Sequence, residues 1–223
     1  MHSVFIVGGS GKVARSLAQQ LAERGHQPRS LYRHDEQAEG LKALGASPVA
    51  GNLLELDTEA LAKLMTGSDI VVFAAGAGGK GGAQMTDAID GHGLELSVAA
   101  AQLAGIRRFI LVSAFPEASR GRSVSETFEN YMVVKKRADV HLAATDLDWV
   151  ILRPGNLLDS PGTGKVHAGL AIPYGDVPRE DVAAALLQII EQPGVSRVII
   201  ELTQGSTPVN EAFQSFVRDS TQG

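Results

Sequence analysis

The chain has 223 residues, 44% of them apolar and 20% charged, with a formal net charge of −5, which is the make-up of one soluble domain with a full-sized core. It contains no cysteine, which excludes disulfides, thiolate catalysis and cysteine-held zinc and fits a reducing, cytoplasmic setting. The longest basic run, Lys135-Lys136-Arg137, is too short to suggest nucleic acid. No apolar run approaches the roughly 18 residues of a membrane span, and a first strand opening near residue 4 leaves no space for a signal peptide.

Val4 to Val7 read as a buried strand, and a glycine turn (Gly8-Gly9-Ser10-Gly11) follows. Val13, Leu17 and Leu21, with Ala14 and Ala18, then recur at helical spacing up to a stop at Gly25. Strand two is predicted over 29–33. Asp35 is predicted to cap a short helix ending at Gly45, strand three covers 47–50, Asp57 caps a helix over 58–65, and strand four covers 69–74. Residues 76–82 are almost all glycine. A long helix over 86–104, strand five over 108–113, a polar loop over 116–125, a helix over 126–144 and strand six over 149–153 follow. Residues 155–178, with several Gly and Pro, read as an irregular substrate-side segment or small lobe. A helix over 180–191, a strand over 196–203 and a last helix started by Thr207-Pro208 and running to about Asp219 complete the chain.

Strands alternating with helices predict an α/β fold, a doubly wound and mostly parallel sheet. Ligands of such sheets sit at the carboxyl ends of the strands. A strand that enters a helix through a glycine turn offers unpaired amides and the positive end of the helix dipole to a pyrophosphate. Gly8 permits the sharp turn, Gly11 the close approach of the phosphates, and Ala14 the packing of helix on strand. Gly8, Ser10, Gly11, Lys12 and Val13 are therefore expected to hold a dinucleotide. Where an acid would mark NAD, the end of strand two reads Leu31-Tyr32-Arg33-His34. Arg33, with His34 beside it, is expected at the 2′-phosphate of NADP, with Ser10 and Arg15 in support; the alternative is NAD with Asp35 on the ribose.

Tyr131 and Lys135 are four apart on a predicted helix and share a face, and Ser113 ends strand five. A lysine beside a tyrosine is expected to lower the phenol's pKa. Tyr131 would then serve as acid or base, with Ser113 orienting the substrate oxygen and Lys135 holding the nicotinamide ribose. Asp87 and Asp90, three apart, read as a solvated helix face. The histidines His2, His26, His34, His92, His141 and His167 are scattered and predict no metal site.

The motifs Gly8-Gly9-Ser10-Gly11-Lys12-Val13-Ala14, Leu31-Tyr32-Arg33, Gly51-Asn52-Leu53, Phe73-Ala74-Ala75-Gly76, Phe109-Ile110-Leu111-Val112-Ser113, Tyr131 with Lys135, and Leu152-Arg153-Pro154-Gly155 run over nearly the whole chain. On these residues the sequence resembles the atypical or extended short-chain dehydrogenase/reductase superfamily, Rossmann-fold proteins. More narrowly, it resembles small bacterial NAD(P)H-binding proteins of epimerase/dehydratase-like or flavin-reductase-like type. The resemblance implies that Asn52 and Leu53 sit at the adenine, where the family usually has Asp in place of Asn52. It also implies that Ala74, Ala75 and Gly76 line the adenosine and ribose, and that Pro154, Gly155, Asn156 and Leu157 flank the nicotinamide. Residues 178–183 resemble a structural turn and helix start. The family's proton-relay asparagine has no clear match in 86–104; His92 lies there and reads as a surface residue. A short segment after strand six argues against a nucleotide-sugar substrate.

The expected function is hydride transfer between NADP(H) and a small carbonyl or alcohol, by a monomer or homodimer with no nucleic-acid or membrane partner. Two alternatives stay open, a non-catalytic NADP(H)-dependent sensor and an NAD(P)H–flavin reductase.

Overall fold

The computed structural model describes residues 1–116, 118 and 124–217. β1 (Ser3–Val7) passes through the glycine turn into α1 (Lys12–Glu23), followed by β2 (Gln27–Tyr32), α2 (Ala38–Lys42), β3 (Ser47–Ala50), α3 (Thr58–Met65) and β4 (Ile70–Phe73). Next come α4 (Gly82–Thr86), a turn of π-helix over Asp87–His92, and α5 (Gly93–Leu103). β5 (Arg108–Val112), α6 (Glu126–Ala143) and β6 (Asp148–Pro154) precede three short strands: β7 (Asn156–Leu158), β8 (Lys165–Gly169) and β9 (Asp176–Pro178). The described chain closes with α7 (Arg179–Glu191), β10 (Val198–Gln204), β11 (Thr207–Pro208), α8 (Val209–Ala212) and a 3-10 turn over Gln214–Phe216.

The main sheet runs β11-β8-β10-β6-β5-β4-β1-β2-β3. From β3 to β10 every pairing is parallel, while β8 is antiparallel to both β10 and β11. Parallel strands need helical crossovers, so both faces of such a sheet are covered and its strands read as continuous apolar runs. Alternate residues of β1 feed two separate cores. Val4 and Ile6 pack with Val13, Leu17 and Leu21 of α1 and Leu186 and Ile190 of α7. Phe5 and Val7 pack with Leu61 and Met65 of α3, Leu94 and Val98 of α5, and Ala138 and Leu142 of α6. The strand order reverses between β1 and β4, and a crevice opens there at the carboxyl ends of the strands.

The turn chemistry explains several boundaries. Gly25, Gly45 and Gly105, just beyond their helices, all have positive φ. The Asp57 carboxylate accepts the Ala60 amide at 2.8 Å and starts α3. At α2 the cap is displaced: His34, not Asp35, caps a 3-10 turn over Asp35–Gln37, and the Gln37 side chain accepts the Arg33 and His34 amides. The last helix is one turn long, Val209–Ala212, with Pro208 at its cap; the predicted end at Asp219 lies outside the described residues.

The stretch 155–178, irregular by sequence, carries β7, β8 and β9. β7 and β9 pair with each other in a separate two-stranded parallel sheet, and β8 pairs with β10. Between β7 and β8 the chain is fastened to the start of α7. The buried Asp181 carboxylate accepts the Thr163 amide (2.9 Å), the Thr163 hydroxyl (3.0 Å) and the Gly164 amide (2.9 Å), and Glu180 accepts the Gly162 amide (2.7 Å). Hydrogen bonds to a charged acceptor are individually strong, and losing the acceptor leaves buried donors unpaired. Asp181→Ala is expected to lower the unfolding free energy by roughly 2–3 kcal/mol, measured by urea titration; a change within ±0.5 kcal/mol would show that this fastening is dispensable.

Candidate active site

Two cavities meet at the carboxyl ends of β1 and β4. The first, of about 360 Å³, lies between the glycine turn and the ends of β2 and β3, against Gly8, Ser10, Gly11, Arg33, Asn52 and Leu53. The second, of about 630 Å³, lies toward β5, β6 and α6 and is lined by Lys12, Val13, Ser113, Tyr131, Lys135, Pro154 and Leu157 among others. Gly11, Ala74, Ala75 and Gly76 line both, so the two form one elongated groove across the switch point.

The groove's narrow middle is set by backbone crowding. Gly8 has φ +80°, and a Cβ there would stand 2.5 Å from Ala75 Cα. A Cβ on Gly9 would stand 2.6 Å from that of Ser30. Gly11 precedes α1 in extended conformation; α1 has no side-chain cap and no acid in its first turn. The amides at the start of α1 therefore face the groove unspent. Ser10 Oγ is buried and has no hydrogen-bond partner among the described residues. An uncapped helix start, an orphaned hydroxyl and no carboxylate in the first turn fit a diphosphate on the observations of this structure alone.

Arg33 and Lys80 are the cations lining the first cavity, and no carboxylate lines it among the described residues. The Arg33 Nε donates to His34 Nε2 at 2.8 Å, so His34 orients the arginine and does not line the cavity itself. Arg15 is held elsewhere, its guanidinium against Gly40. Asn52 is part of a local turn, donating to Glu55 (2.7 Å) and accepting the Leu54 amide (3.1 Å) while it lines the cavity. Gly155 and Asn156 are not brought to either lining. A Cβ on Gly155 would collide with the Gly175 carbonyl oxygen, and the Asn156 side chain donates to Asp176 at 2.9 Å.

Ser113, Tyr131 and Lys135 come together in the second cavity, with Phe128 beside Tyr131 at 6.3 Å between ring centroids. Their electrostatics differ from the expectation drawn from spacing. Burial pushes the Tyr131 phenol well above its ordinary pKa, and Asp90 and Asp139 push it further. Lys135 does not bring the phenol below its ordinary value. It donates to the Val112 carbonyl at 3.0 Å and lies 3.6 Å from Asp90 Oδ1. Burial pulls Lys135 below its usual value, and Asp90 and Asp139 partly offset this.

Sequence reasoning missed two residues here. Asp90 is not on a solvated face: it is 2% exposed, and its Oδ2 accepts the Ala77 amide at 2.9 Å. It thereby ties the glycine-rich segment to Lys135. The π turn over Asp87–His92 breaks the regular spacing that would place Asp87 and Asp90 on one face. Asp87 remains outside, paired with Arg137 at 2.7 Å, and His92 is exposed. The second is Asp139, one and two turns beyond Lys135 and Tyr131 respectively. Arg153 donates to its Oδ2 at 2.8 and 3.0 Å. Burial raises the Asp139 pKa, against the pull of Ser113, Arg153 and Lys135. Ser113 Oγ and Asp139 Oδ1 are both buried without a hydrogen bond of good geometry among the described residues.

A family model described as NAD(P)H-binding matches residues 8–193. The chain belongs to this NAD(P)H-binding family. With it, the chain joins the atypical short-chain dehydrogenase/reductase superfamily. Among its relatives, the uncharacterized sugar epimerase YhfK of Bacillus subtilis is 35% identical over 212 residues, covering 95% of this chain and 98% of that protein. A solved Bacillus halodurans structure, provisionally described as an NAD-dependent epimerase/dehydratase, superposes with a TM-score of 0.88 at 33% identity, over 96% of this chain and all of that one. The oxidoreductase YlbE of Lactococcus lactis superposes with a TM-score of 0.85 at 25% identity, over 99% of each chain. The family thus brings NAD(P)H binding, and oxidoreductases stand among its solved neighbours.

If Asp90 supports the charge on Lys135, Asp90→Asn lowers the lysine's pKa further, because desolvation is then opposed by one carboxylate fewer. Lysine-selective NMR titration is expected to show one side chain, assigned by Lys135→Met, moving to lower pH in the variant. An unmoved Lys135 titration would contradict the coupling.

Proposed function

We propose that the chain is an NADP(H)-dependent oxidoreductase that interconverts a small carbonyl compound and its alcohol. The observation that carries this reading is the convergence of Ser113, Tyr131 and Lys135 on one cavity that opens into the glycine-turn groove at Gly11 and 74–76. The α1 amides and Ser10 hold the diphosphate, with Gly8, Gly11, Lys12 and Val13 around it. Asn52 and Leu53 meet the adenine, Ala74, Ala75 and Gly76 line the adenosine, and Pro154 and Leu157 flank the nicotinamide, with Gly155 and Asn156 supporting them from behind. When bound, the cofactor supplies or accepts the hydride.

Tyr131 gives its proton to the carbonyl oxygen in reduction and recovers it in oxidation. Ser113 donates a hydrogen bond to the same oxygen and fixes its direction. Lys135, anchored to Val112 and Asp90, holds the nicotinamide ribose. A phenol kept protonated above its usual value remains a donor throughout neutral and mildly alkaline pH. The reduction rate is therefore expected to show no loss from phenol ionisation below about pH 10, and Tyr131→Phe to lower kcat by about 10²–10⁴-fold. A fall centred near pH 7–8 that vanishes in Tyr131→Phe would contradict the assignment.

Arg33 and Lys80, lining a cavity without acids among the described residues, support NADP over NAD. Arg33→Ala is expected to weaken NADPH binding by about 10–100-fold, the equivalent of one or two charge-assisted hydrogen bonds, and to leave NADH unchanged. Calorimetry with both nucleotides reads this directly; equal losses for both would argue against the phosphate contact.

A second reading is reduction of a flavin, to which the raised Tyr131 pKa is indifferent. A weak acid is no obstacle there, because the acceptor needs no proton from tyrosine. Flavin reduction that survives Tyr131→Phe would select this reading over the first.

A further inference from the structure

Three charged side chains meet beside the groove: Lys12, which the cofactor reading places near the diphosphate, and Asp159 and Arg179, to which it gives no ligand. Lys12 is the first residue of α1 and Arg179 the first of α7. Asp159, just after β7, bridges them: its Oδ2 lies 2.6 Å from Lys12 Nζ and its Oδ1 2.6 Å from Arg179 Nη1. Lys12 and Arg179 both line the second cavity, and Asp159 does not.

Two aspects of this arrangement point to a ligand. A cation at a helix N-terminus is electrostatically misplaced, since the dipole there is already positive. Here two such ends, each opening on a cation, meet at the one carboxylate of Asp159, while the acids in the first turn of α7, Glu180 and Asp181, are spent on the amides of 162–164. Arg179 also spends only Nη1, on Leu157 O (3.1 Å) and Asp159. Its Nε and Nη2 make no hydrogen bond among the described residues, which leaves a fork of donors of the kind that grips carboxylates and phosphates.

We infer that Lys12 and Arg179 form a clamp for a carboxylate or phosphate group of a ligand, and that Asp159 is its built-in stand-in, displaced when the ligand's anion arrives. The bridge is suited to exchange. The Lys12 and Asp159 side chains are 67% and 59% exposed, and exposed ion pairs contribute little to stability. The loop behind Asp159 stays in place because Asp181 and Glu180 hold the amides of 162–164. Lys12 and Arg179 hold the Asp159 carboxyl below the usual range, so the stand-in is charged at neutral pH and competes with ligand anions throughout the physiological range.

The anion has two possible sources, the cofactor's diphosphate and an acidic group on the substrate. The inference deepens the oxidoreductase reading by adding a ligand group to the same groove. Its test uses inorganic pyrophosphate and benzoate as probes, so it is decided separately from turnover. Binding of both is measured by calorimetry at low ionic strength in the wild type, Asp159→Asn, Arg179→Gln and Arg179→Lys. Asp159→Asn is expected to tighten pyrophosphate binding by roughly two- to fivefold, the scale of one exposed ion pair. Arg179→Gln weakens it, and Arg179→Lys falls between because it keeps the charge and loses the fork. Thermal melts confirm that each variant is folded. If saturating NADPH abolishes binding of both probes, the clamp serves the cofactor. If benzoate still binds beside NADPH and is lost in Arg179→Gln, it serves an acidic substrate. Unchanged or weaker pyrophosphate binding in Asp159→Asn, or unchanged binding in Arg179→Gln, overturns the inference.

Discussion

The groove depends on one close approach, that of the turn after β1 to the chain leaving β4. Gly8 abuts Ala75 so tightly that no side chain fits between them. β1 and β4 are neighbours in register, Val7 against Phe73, so their exits are forced past each other at the point where the strand order reverses. The turn must then climb over the sheet edge before α1 can begin, which leaves the first amides of α1 directed across the sheet end. A bulkier turn would separate β1 from β4 and close the place where the two cavities join. The adenosine end and the reaction end are thus continuous because of a packing constraint between two backbone segments.

Beyond that constraint, the site is governed by burial of charge. Asp90 and Lys135 line the second cavity, Asp139 and Arg153 sit behind them, and the four charges partly compensate one another. Neither the phenol nor the ammonium behaves as it would in water: burial raises the phenol together with Asp90 and Asp139, and lowers the ammonium against them. Asp90 links this cluster to the glycine-rich segment through the Ala77 amide. A displacement of that segment would therefore change the field at Lys135. The cavity's polar floor and its glycine wall are one electrostatic unit.

Much of this was legible in the sequence. Continuous apolar runs in β1, β4 and β5 announced a doubly covered parallel sheet, because both faces of each strand are buried. The glycine turn, the Tyr131/Lys135 spacing and the position of Ser113 placed these groups on one edge of the sheet. The misreadings share a physical origin, namely dependence on partners distant in sequence. The short strands β7, β8 and β9 have weak local patterns and exist because β10 and each other are available to pair. Asp90 was read by regular helical spacing, which the π turn interrupts. The Tyr131 pKa follows from burial, which spacing alone does not report. Asp159 and Lys12 meet across 147 residues of chain, and Arg179 reads as part of a structural turn because its place in the cavity lining has no sequence signature.

The central claim is that the amides opening α1 receive a diphosphate. Amide chemical-shift mapping on titration with NADPH tests it most directly. The account predicts that the largest perturbations fall on Ser10, Gly11, Lys12 and Val13, with smaller ones on 74–76. Saturable NADPH binding that leaves those four amides unperturbed, or no binding at all, would contradict it.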